Sequence, residues 1–190
     1  MTSLSMDYLD SVRKQMAYYK QLGDRSMAQV ADAHLFWQCS PEGNSIATLV
    51  KHLAGNMRSR FTDFLSSDGE KPWRDRESEF DNDLHSREEV VALWESGWKV
   101  FLDALEALQP EQLAQIVYIR NQGHTVMEAL NRQLAHYPYH IGQMVFIAKM
   151  CAESWESLSI PRGGSAAYNA DKFAQDKQRG HFTDEFLKKE

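Results

Sequence analysis

The chain has 190 residues and a mass of 21.9 kDa, enough for one sizeable core and short for two domains. A net charge of −6 argues against a nucleic-acid surface, which needs clustered Lys and Arg, and no apolar run approaches the roughly 20 residues of a membrane span. The N-terminal residues show no basic stretch followed by an apolar one, and Cys39 and Cys151 fit no metal or redox spacing, so a cytoplasmic protein in a reducing compartment is expected.

Taken in order, Leu4, Tyr8, Val12 and Tyr19 recur at helical intervals and predict a first helix over about 4–24, closed by Gly23 as glycine often closes a helix. A short helical turn is expected between Ser26 and Gln38, then a loop over Ser40–Ser45. With Asn44 or Ser45 as N-cap, the stripe Ile46, Leu49, Val50, Leu53, Met57, Phe61, Phe64 and Leu65 predicts the strongest helix of the chain, running to Ser66. Residues 67–84 read as a long irregular connection, a length uncommon unless functional. Its Glu70–Arg76 stretch can shape a pocket mouth but reads first as a surface connection, and Arg58 and Arg60 read as solvated.

Ser86 with Glu89 has the spacing of a capping box and opens a third helix to about Leu108, stopped at Gln109-Pro110. Ile116–Ile119 is β-branched and suits a brief extended segment. A fourth helix is expected from about Thr125 to Cys151, with Pro138 producing a kink and not a break. From Ser157 the chain becomes a loop and then a charged tail. The fold class is therefore all-α, a four-helix bundle over residues 1–160 with irregular connections, followed by a C-terminal loop and charged tail over 161–190.

His136 and His140, four residues apart, stack on one face of the fourth helix, and two imidazoles so held can grip one metal ion. The candidate third ligand is His52 on the second helix. All three fall on the flanks of their apolar stripes, where ligands lining a groove belong. Gln143, one turn from His140, and Asn56 are candidates to orient an imidazole or a substrate. No carboxylate stands three or four residues from the pair, which disfavours a di-iron site of the Glu-x-x-His type. HExxH, Gly-rich phosphate-loop and GxSxG motifs are absent.

The stretches Asn44–Arg58, Asp68–Trp73, Asn131–Gln143 and Ser157–Gly163 resemble the DinB-like superfamily of helical bundles, also typed by the YfiT-like metalloenzymes, and within it the DUF1572 branch. The resemblance implies that His52, His136 and His140 bind one divalent metal, zinc or nickel, and that the protein is a homodimer acting on a small molecule. Some members of that superfamily use low-molecular-weight thiols; others carry a hydrolase label. The leading expectation is thus a metal-dependent thiol S-transferase. A metal-dependent hydrolase, or a non-enzymatic small-molecule or stress protein, is the alternative.

Overall fold

The computed structural model describes residues 2–81 and 83–187. Four long helices build the bundle: α1 (Thr2–Met27), α2 (Ile46–Phe61), α3 (Arg87–Ala107) and α4 (Val126–Cys151). A two-stranded antiparallel hairpin, β1 (Ile116–Ile119) and β2 (Gln122–Thr125), precedes α4, and a short α5 (Ser165–Phe173) follows it. α2 packs chiefly on α3 and α1 on α4, while α2 also meets α4. Among the described residues, no helix is long and apolar enough to cross a membrane.

The apolar stripes close into one core, with Leu9, Val12, Met16, Leu53, Met57, Trp94, Trp98, Phe101, Tyr137 and Ile141 at its centre. Burial of each such side chain is worth about 1.5–3 kcal/mol, so this cluster is the main force holding the helices together. The caps are local and specific. Ser45 opens α2 by accepting from the Thr48 amide at 3.1 Å, and Thr125 with Glu128 forms a complete capping box on α4. Ser86 caps α3 by accepting from the Glu89 amide, but Glu89 reaches back to the His85 amide, so the expected reciprocal box is only half made.

Several boundaries differ from expectation. Gly23 does not close α1, which continues to Met27. A Cβ at Gly23 would lie 2.5 Å from the Trp94 ring, so the glycine is there for close packing, and Trp94 Nε1 donates to Asp24 Oδ1 at 2.6 Å beside it. α2 stops at Phe61, not at Ser66 as its apolar stripe predicts: Asp63 takes a left-handed conformation (φ 50°), and Phe64 is buried from the turn. The extended segment at Ile116–Ile119 is real and has a partner that the sequence reading missed. Arg120 and Asn121 (φ 56° and 60°) form the two-residue turn, and Asp68 accepts the Arg120 and Asn121 amides at 2.8 and 2.7 Å. α4 runs unbroken through Pro138.

The C-terminal segment is more than a loop and tail. It contains α5 and then lies along α1, where Phe182 and Phe186 pack on Tyr18 and His181 bonds Ser11 at 3.0 Å.

Candidate metal centre

α2 and α4 are adjacent, and that adjacency brings the three histidines together. One ring nitrogen from each of His52, His136 and His140 lies within 4.8 Å of the other two. His136 Nε2 is 3.2 Å from His52 Nε2 and 3.1 Å from His140 Nε2. Two nitrogens at about 2.1 Å from a common ion would be roughly 3.0 Å apart at a right angle and roughly 3.4 Å apart at the tetrahedral angle. The two spacings to His136 fall between these, and the third pair lies within 4.8 Å, so the cluster could hold one ion.

The outer nitrogens fix which way the lone pairs face. His52 Nδ1 bonds Glu79 Oε2 at 3.0 Å, and His140 Nδ1 bonds Gln143 Oε1 at 2.9 Å. Both partners are acceptors, so both Nδ1 atoms carry the proton and both Nε2 atoms turn a lone pair inward. Desolvation pushes the Glu79 carboxyl up, but bonds from His52 and Arg74 outweigh it and hold the group below the usual carboxylate range. Burial, reinforced by the charges of His140 and His52, pushes His136 down to about 3, and burial likewise lowers His140. These are the neutral, ligand-ready forms of the ring.

Gln143, a candidate to orient an imidazole or a substrate, bonds one of the three rings. Asn56 reaches the same cleft but bonds no histidine among the described residues; its Oδ1 accepts from the buried Tyr137 hydroxyl at 3.1 Å. Phe80 stacks on the His52 ring with centroids 5.4 Å apart and covers its outer face.

The connection 67–84 is not a surface strap. It packs on α2, carries Glu79 to His52, and supplies Arg74, whose Nε and Nη2 donate to Glu79 at 2.7 and 2.9 Å. Arg60, expected in solvent, is 5% exposed, donates to the Gly69 carbonyl and bonds Glu70 through both terminal nitrogens at 3.0 Å. Nothing periodic marks residues 67–84, and a helix stripe says only that Arg60 lies beside the core. Both were legible only once the loop was seen to fold back over α2. Arg74, Arg60, Arg76, Arg120 and Arg132 join the histidines in walling a cleft of about 600 Å³.

A family model described as "Protein of unknown function (DUF1572)" matches residues 3–164, which take in the four bundle helices but for the first residue of α1, and every histidine of the cluster. Comparison with curated proteins and with solved structures finds no match. With most of its length matched by that one description, the chain belongs to the DUF1572 family.

Proposed function

We propose that the protein is a divalent-metal enzyme of DinB-like type, with His52, His136 and His140 holding one zinc or nickel ion, and that it transfers a low-molecular-weight thiol to an electrophile. The observation that carries this reading is the convergence of three ring nitrogens, two of them held in the required tautomer by Glu79 and Gln143. Three protein ligands leave a position open, which separates a catalytic site from a closed structural one. His52, His136 and His140 would hold the ion, which would supply Lewis acidity to lower the pKa of a bound thiol.

The chain's own residues do the rest. Glu79 and Gln143 keep the rings aimed, Phe80 shields His52, and the cleft admits a small molecule. Hydrolysis by activated water would want a free carboxylate as general base. No Asp or Glu is among the described residues lining the cleft, and Glu70 and Glu79 are both engaged by guanidinium groups in its wall. That supports the transferase reading over the hydrolase.

The test begins with untagged protein prepared under metal-free handling, loaded with zinc or nickel and assayed for bound metal beside His136→Ala. One ion per chain in the parent and a large loss in the variant are expected; negligible metal in both disposes of the centre. A screen for thiol-dependent loss of an electrophile then tests the reaction. Turnover of an ester or amide without added thiol would replace the transferase with the hydrolase.

A further inference from the structure

The cleft beside the histidines is far more basic than the chain that builds it. Five guanidinium groups line it, on a protein whose net charge is −6. Two carboxylates answer them from the wall. Glu70 is shared by Arg60, Arg120 and, at 3.6 Å, Arg74, while Glu79 is taken by Arg74 and His52. Five positive charges against these two leave the cleft net positive before any metal ion is counted, and it stays so with Asp68, which feels the Arg60 charge, set against them. Glu77, 3.5 Å from Arg76, has an 89% exposed side chain and is a weak surface partner.

The five arginines are not equivalent. Arg60 and Arg74 have side chains only 5% and 3% exposed, and both are tied to carboxylates as parts of the wall. Arg60 still keeps a buried Nε without a partner among the described residues. Arg132 makes no hydrogen bond or ion pair to any described residue, and it stands one helical turn before His136 on α4. Arg76 lies over the Phe80 ring at 5.4 Å, and Phe80 in turn stacks on His52. Arg76 and Arg132 thus come from different elements to line the same cleft as the three histidines, with donors to spare.

We infer that this cleft binds a small organic dianion, a molecule with two carboxylates or a phosphate group, and that Arg76 and Arg132 are the residues that grip it. Guanidinium groups suit carboxylate and phosphate because their planar forks match both bidentately. A walled cleft of one sign also concentrates such ligands and speeds their arrival. The inference deepens the function proposed above and rests on it for the reacting position. It names the charge that the thiol or its acceptor must carry.

The experiment is calorimetric titration of the zinc-loaded protein with malonate, inorganic phosphate and acetate, repeated for the Arg76→Ala/Arg132→Ala double variant, with zinc content measured in each sample. Acetate is the singly charged reference, and the variant, holding the same ion, controls for ligation of the zinc by the dianions themselves. A dianion affinity at least tenfold above that of acetate, reduced at least tenfold in the variant with zinc content unchanged, is the expected result. Equal affinity for acetate and the dianions, or equal dianion affinity in parent and variant with zinc retained in both, overturns the arginine assignment and leaves the metal centre standing. Absence of zinc from the loaded parent overturns the metal centre instead, and with it the reacting position. The comparison of malonate with phosphate says which anion the cleft prefers. If the double variant does not fold, the single variants Arg76→Gln and Arg132→Gln, with zinc content measured in each, decide by the same comparison: unchanged dianion affinity in both overturns the assignment.

Discussion

Replacing Gly55 with alanine should weaken metal binding without touching a ligand. Gly55 lies inside α2, between His52 and Asn56, and a Cβ built there would stand 2.2 Å from Glu79 Oε1 and 2.7 Å from its Cδ. The Glu79 carboxylate would have to withdraw by about 1 Å to reach ordinary contact, which would stretch its 3.0 Å bond to His52 Nδ1 beyond hydrogen-bond range. Loss of such a supporting partner typically costs 10–100-fold in metal affinity. That is about 1.4–2.8 kcal/mol. Alanine at an interior helix position otherwise favours the fold by about 0.5–1 kcal/mol, so the loss should not come from weakened helix formation. Gly142→Ala is the control: it lies on α4 between His140 and Gln143, and a Cβ there meets nothing within 4 Å. Competition with a chelator gives the affinity, and melting of the metal-free protein gives the stability. If Gly55→Ala holds metal within twofold of the parent, Glu79 does not tune the site and the supporting role assigned to it is wrong.

Three further outcomes concern the scaffold. Gly97→Ala should lower the urea midpoint by the equivalent of about 1–3 kcal/mol, as overpacking does, because the new Cβ would sit 2.7 Å from the Ala54 Cα where α2 and α3 cross. Ser45→Ala should cost about 1–2 kcal/mol in the same assay, since it strips a fully buried cap from the Thr48 amide and hydroxyl. Asp68→Asn should flatten the acid side of the stability profile. Burial raises the Asp68 carboxyl, but the amides of Asn121, Glu70 and Arg120 outweigh it and hold the group below its ordinary value. A carboxyl depressed by folding contributes stability that is complete above its ordinary titration range and fades as pH falls through the folded value. Denaturant midpoints at neutral and acid pH should therefore converge for parent and variant as the pH drops; a constant difference between them would remove Asp68 as the cause.

Much of the scaffold was legible because it follows from short-range rules. Apolar residues every three or four positions gave the four long helices, and the cap at Ser45 depends on atoms three residues away. The hairpin was half legible: Ile116–Ile119 is β-branched, whereas its partner Gln122–Thr125 is polar, and its turn, Arg120-Asn121, lacks the Asn-Gly or Asp-Gly signature of a two-residue hairpin. Gly23 was misread because a glycine near the end of an apolar stripe looks the same whether it stops a helix or admits an indole ring from another one.

By itself the sequence determined the helices, their approximate ends, and the pairing of His136 with His140, since residues four apart share a helix face whatever surrounds them. Only the tertiary structure decided that His52, 84 positions before His136, points at that pair, and that the aperiodic stretch after α2 folds back to set Glu79 on His52. The same fold-back drew Arg60 and Arg74 into the wall of the cleft. The reason is physical: helical periodicity fixes directions relative to one axis, while the meeting of residues on separate elements depends on how those axes pack, which no local pattern records.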